Sequence, residues 1–166
     1  MERDPAVLKK VSVSLPFGLG CAEWEADQTE RYAAWSLYVE LVTRISVQPL
    51  GQEEGILREA LDSLYRLFDT TREILKEAGP GVGASQNSVG GIAITVLNQG
   101  LRPFLTKWHS SLEVWETQRS NGVSPKEHEK EWSEESKMRG ELEYLRQELN
   151  KYALGLAKIS GVEKGK

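Results

Sequence analysis

The sequence predicts an all-α fold: an antiparallel up-down-up-down four-helix bundle with an extended N-terminal segment. Three observations predict it. Long stretches carry apolar residues at three- and four-residue spacing, their ends carry helix start and stop signals, and the connections between them are short. Residues 1–26 read as an extended strap, 27–160 as the bundle and 161–166 as a tail.

The first ten residues are charged and read as a frayed end. Val11, Val13 and Leu15 alternate with Ser12 and Ser14, a period of two that suits a short strand or an extended strap. A single strand cannot form a sheet alone. The segment is therefore expected to lie on the bundle or to offer an edge to another chain. Pro16-Phe-Gly-Leu-Gly20 follows as a turn that holds Phe17 and Leu19 between glycines.

The densest apolar segment, Arg31 to Val47, is predicted to form the first helix. Asp27-Gln-Thr-Glu30 has the spacing of a capping box, and Pro49 forces Gln48 out of the helical region. Arg31 (by its stem), Ala34, Trp35, Tyr38, Leu41, Val42 and Ile45 fall within a stripe roughly 120° wide, read as the buried face. On that reading, truncating Trp35 costs about 3–5 kcal/mol. Leu37, Val39 and Val47 lie off the stripe, so the helix is apolar on more than one side.

A second helix is expected from about Glu53 to Ala78, ended by Gly79-Pro80. Its stripe is Leu57, Ala60, Leu61, Leu64, Leu67, Phe68, Thr71 and Leu75; Arg58, Asp62, Arg66, Asp69, Glu73 and Lys76 form a solvated face. Residues 81–87 are rich in Gly, Ser and Asn and form a loop; no phosphate-cradling motif is present. Ser88 is positioned to cap a third helix reaching Trp115, with Ala93, Leu97, Gly100, Leu101, Phe104, Trp108, Ser111 and Trp115 on one side. Ile92-Ala-Ile-Thr-Val96 would suit a strand, but the pattern continues too far for one. Pro103 removes the bond to Gln99, predicting a kink or break over residues 99–103. Ser124-Pro-Lys-Glu127 is a helix start, and a fourth helix is expected from there to Ile159.

Composition narrows the function. Lys plus Arg is 21 and Asp plus Glu is 25 among 166 residues, a net charge of −4, which gives no global attraction to nucleic acid or an anionic membrane. The single cysteine, Cys21, excludes an internal disulfide and a Cys-rich metal site and suits a reducing cytosol. No stretch has the roughly 20 apolar residues of a membrane span, and the N-terminus does not read as a signal peptide. The expectation is a soluble cytoplasmic domain.

Catalytic signals are weak. His109 and His128 lack the spacing of a helical metal site, and the core stripes of the first three helices hold no carboxylates, so neither metal nor cofactor is expected. Cys21 has no histidine near it in sequence and reads as a small, half-buried hydrophobe. No nucleophile-elbow motif is present, so no catalytic residue is assigned. Arg44 and Arg72 fall on stripe borders, Arg44 expected to face the start of the second helix and Arg72 the first turns of the first, and Arg102 flanks the kink of the third. They either pair with Glu40, Asp69 or Glu30, their stems covering the core, or Arg72 and Arg102, with His109 and Lys107, line a groove for a small anionic ligand or nucleotide. Phe17 and Leu19 are either two apolar plugs that pin their turn or a docking element for a partner, and the aromatics Phe17, Trp24 and Trp132, off the core stripes, are either covered by the N-terminal segment or left for a partner.

The runs Leu15-Pro-Phe-Gly-Leu-Gly, Ala33-Ala-Trp-Ser-Leu-Tyr-Val-Glu-Leu-Val-Thr-Arg, Arg58-Glu-Ala-Leu-Asp-Ser-Leu-Tyr and Leu101-Arg-Pro-Phe-Leu-Thr-Lys-Trp-His resemble a group of small, uncharacterised all-helical bacterial proteins from conflict and signalling loci. The resemblance spans nearly the whole chain and carries no established activity. It implies an adaptor or accessory subunit of a bacterial defence or signalling assembly, acting on a protein partner or as a homo-oligomer. The residues expected to make that contact are Phe17, Leu19, Trp24 and Trp132.

Overall fold

The computed structural model describes residues 10–44, 55–83, 85 and 87–162, and the fold over these residues is mostly helical with one small sheet. Strand β1 (Val11–Ser14) pairs antiparallel with β2 (Cys21–Trp24) in the register Val11↔Trp24, Val13↔Ala22. The expected lone strap is thus half of a hairpin. Its partner was hidden because Cys21-Ala-Glu-Trp24 is short and only Ala22 and Trp24 point inward. The turn closes through a bond from the Leu15 N–H to the Gly20 carbonyl (2.8 Å), with Phe17, Gly18 and Gly20 all at positive φ. Phe17 is a non-glycine residue in the left-handed region (φ 55°), a conformation that must be held from outside. The Glu148 carboxylate holds it, accepting the Phe17 N–H at 2.7 Å.

Helix α1 (Gln28–Val42) starts at Asp27, whose side chain accepts the Glu30 N–H at 2.8 Å. Glu30 does not reach back to complete the capping box. Its carboxylate instead accepts the Val89 N–H (3.1 Å) at the start of α3 (Val89–Thr95), which Ser88 also caps. The buried residues of α1 are Ala33, Ala34, Leu37 and Leu41, so the core face is turned away from the expected stripe, and Trp35 is exposed. Two small alanines let α1 approach α6 (Glu135–Ser160), its most extensive neighbour. Helix α1 ends at Val42 with Thr43 as its C-terminal cap, short of the expected end before Pro49; Ile45, Val47 and Gln48 lie outside the described residues.

Helix α2 (Leu57–Ala78) begins later than expected, since Gly55 and Ile56 are not helical, and ends at Gly79 (φ 88°) as its Gly-Pro signal predicts. Its predicted stripe is buried from Leu57 to Thr71. A 3₁₀ turn (Pro80–Gly83) leads towards α3. Gly90 is required there, because a Cβ would lie 2.5 Å from the Val82 carbonyl oxygen.

The predicted disturbance before Pro103 is a π-helical turn (Val96–Leu101) joining α3 to α4 (Arg102–Thr117). The Arg102 N–H bonds the Leu97 carbonyl, five residues back, so the chain stays helical past a proline that has no N–H to give. Leu112, not Ser111, takes the buried position near the end of α4.

The expected fourth helix is broken. A short α5 (Pro125–Lys130) carries the predicted Ser124–Glu127 capping box, and α6 starts at Glu135. The break turns two side chains inward. Trp132 meets Trp108 edge-on with ring centroids 5.9 Å apart, and Glu129 is buried beneath the start of α2. There its carboxylate accepts the N–H groups of Leu57 (2.7 Å) and Arg58 (3.3 Å), caps that Ile56 cannot supply. Under the hairpin, Val13 abuts Gly155, and among the described residues the buried Tyr152 hydroxyl has no hydrogen-bond partner beside a cavity of about 10 Å³. Burial pushes that phenol well above its ordinary range.

Glu129→Ala removes both caps from α2 and is expected to cost about 1–3 kcal/mol in urea unfolding at neutral pH. Burial raises the Glu129 carboxyl above 4.5, ahead of the opposing pull of its two N–H donors. The folded state therefore holds this proton more tightly than the unfolded state. The contribution of Glu129 to stability must fall as pH rises from 4.5 through its folded value. Relative to Glu129→Gln, the wild type gains stability on acidification through that window; a flat difference would refute the assignment.

Candidate functional site

The residues expected to meet a partner are not, as a set, on the surface. Trp24 is 4 % exposed, facing the core from β2, and Trp132 is 9 % exposed against Trp108. The turn residues Phe17 and Leu19 are half-buried and packed on the core. Phe17 rests on Gly100 of the π turn, where a Cβ would overlap its ring. The hairpin and the helix break each convert an apparently exposed aromatic into core.

Exposed aromatic side chains cluster on α1 instead, while Tyr65 on α2 and Tyr144 on α6 stand apart. Tyr32 is 62 % exposed, Trp35 44 % and Val39 37 %, and Trp35 stacks with Tyr38 at 5.7 Å. With Gln28 and Thr43 these positions form one line along the solvent side of the helix, and none carries a charge. The exposed positions of α2 differ: Glu59, Arg66, Asp69, Arg72, Glu73, Lys76 and Glu77 are charged and Tyr65 is the exception. Sequence pattern had the signal for the α1 face, an apolar helix on more than one side, but assigned Trp35 to the wrong side.

The border arginines take the partners expected of them in part. Arg44 bonds Glu40 (2.7 Å), the Thr70 hydroxyl (2.8 Å) and the Ser63 carbonyl (3.4 Å), so it faces the middle of α2 and not its start. Arg72 bonds Asp69 at 2.8 Å. Arg102 bonds the neutral Asn98 through Nε and Nη2 (3.2 and 3.1 Å). Arg72 and Arg102 nevertheless share a neighbour: their guanidinium carbons lie 5.7 and 5.2 Å from the centroid of the same Phe68 ring.

His109 does not join that pair. It stands further along the α2–α4 seam, edge-on to Tyr65 (5.3 Å), 3.5 Å from Arg58 and 3.8 Å from Glu113. Arg58 is itself held by Glu116, and the bonding and charge of that carboxylate raise its pKa against an opposing desolvation. Lys107 is taken by Glu141, a carboxylate that also accepts the Trp108 indole N–H and is held below its usual range chiefly by the lysine bond.

His128 stacks on Trp115 at 4.3 Å. The Trp115 indole donates to the His128 carbonyl (2.8 Å), and His128 Nε2 lies 2.6 Å from the Trp115 carbonyl, a pairing that needs a proton on Nε2. Cys21 is exposed on β2 beside Ser14, not half-buried. Among the described residues no group of three His, Cys, Asp or Glu side chains is placed to hold a metal ion, and no helix is long and apolar enough to cross a membrane.

Comparison with protein-family models, curated proteins and solved structures finds no match. Any functional reading therefore rests on these side chains.

The two tryptophans separate core from surface. Trp132→Ala is expected to cost about 3–5 kcal/mol in chemical denaturation, and Trp35→Ala under about 1 kcal/mol. Equal losses would contradict the placement of Trp35 on the surface.

Proposed function

We propose that the protein is a non-enzymatic binding module that uses the outer face of α1 to dock another polypeptide. The observation that carries this is the uncharged line Gln28, Tyr32, Trp35, Val39 and Thr43, with two large aromatics left in water. Tyrosine and tryptophan bury much apolar area at little conformational cost while keeping a polar tip, which suits an interface centre. The same face offers no carboxylate, thiol or imidazole to do chemistry on a substrate.

Within this reading the helices form the antiparallel up-down-up-down bundle. Two contacts support it: Arg31 near the start of α1 lies beside Gly161 just past α6, and Arg58 near the start of α2 reaches Glu116 near the end of α4. We further propose a role as an accessory subunit of a larger bacterial assembly, as the sequence resemblance would imply, with the α1 face as its docking surface.

A photo-crosslinking side chain at Val39 tests the reading in cells of the source organism. It should yield adducts with another polypeptide that disappear in Trp35→Ser, whereas the same group at Arg66 on α2 should yield none. Absence of adducts from position 39, or equal adducts from both positions, would overturn it.

A further inference from the structure

We propose that Arg72 and Arg102, both stacked on Phe68, form a binding site for a phosphoryl group, separate from the α1 face. Two helices bring the cations to one ring. Arg72 comes from the last third of α2 and Arg102 from the first residue of α4, and Phe68 is nearly buried beneath both. Neither guanidinium is spent. Of the five N–H donors on each, the bonds seen engage Nη1 of Arg72 and Nε and Nη2 of Arg102. Among the described residues Arg102 bonds the neutral Asn98 amide, which does not compensate its charge. Like charges gathered on one ring repel, and a bound anion would remove that repulsion.

The geometry favours a phosphoryl group over a carboxylate. A carboxylate fills one guanidinium fork, whereas a phosphoryl group brings more terminal oxygens and more charge to bridge two forks. Asp69 is the internal competitor: its exposed carboxylate bonds Arg72 and must be displaced or share it. That competition gives a distinctive test, because removing an acid should strengthen the site.

Pyrophosphate is the probe, titrated at constant ionic strength while the arginine Nε–H resonances are followed by NMR. The signals of Arg72 and Arg102 should shift saturably and that of Arg58, held by Glu116, should not. Arg102→Gln should weaken binding at least about tenfold, as the loss of a charge-assisted contact. Asp69→Asn should strengthen it by about two- to fivefold. All these positions are on the surface, so the folded far-ultraviolet spectrum should be retained. A linear, unsaturating shift, an unaltered affinity in Arg102→Gln, or equal shifts with acetate would each overturn the proposal.

Discussion

The carboxylate of Glu129 beneath the first turn of α2 is the interaction on which much of this fold depends. Burying a carboxylate is costly unless hydrogen bonds and local charge compensate. Here two N–H groups and the positive end of a long helix offset part of that cost, with the Arg139 charge also acting on it, while burial remains the larger influence. The arrangement works in both directions. Helix α2 can start at Leu57 behind an isoleucine that has no capping group, because α5 delivers the acceptor. Helix α5 can deliver it only because the chain breaks after Lys130, and the same break sends Trp132 to Trp108. Glu30 at Val89 and Glu148 at Phe17 repeat the device, each meeting a backbone N–H of a distant element. Acidic residues that look like ordinary surface charge in the sequence thereby tie α1 to α3, α5 to α2 and α6 to the hairpin.

Helix α1 carries the opposite economy. Its core face is made of small and medium residues, and its largest side chains stand in water. Aromatics of this size present roughly 150–250 Å² each, so covering the exposed parts of Tyr32 and Trp35 would release on the order of 5 kcal/mol before the costs of association. That is too little for a tight complex alone and enough to serve as the centre of one. Ala33 and Ala34 are fully buried on the helix whose most extensive neighbour is α6, and small residues there suit a close helix–helix approach.

The orientation of α1 shows why parts of the molecule were legible and others not. The stripe of α2 could be read because its other face is charged, leaving one orientation. In α1 the 3.6-residue period fits two faces, and the period alone does not choose between them. The break at residues 131–134 has no proline or glycine to announce it; its one sign was a tryptophan set among glutamates and lysines. The pairing of β1 rested on four residues, too few for periodicity to register. Arg72 and Arg102 could be nominated from sequence, but their shared contact with Phe68 depends on the α2–α4 register, as does the separation of His109 from them.

The π turn joins these threads. Pro103 withholds a donor, and the turn absorbs the loss by taking one extra residue, which rotates α4 by roughly 100° relative to an uninterrupted α-helix. On one side the turn presents Gly100, whose missing side chain is the seat for the Phe17 ring. At its end stands Arg102, held by Asn98 within the turn and aimed at Phe68. Filling the seat at Gly100 would push on Phe17, a residue already in a strained backbone conformation and fastened by the Glu148 carboxylate. The hairpin tip and the arginine pair are therefore two consequences of one irregularity in the helix. Along the chain only the fully buried Leu101 separates Gly100, the seat of Phe17, from Arg102.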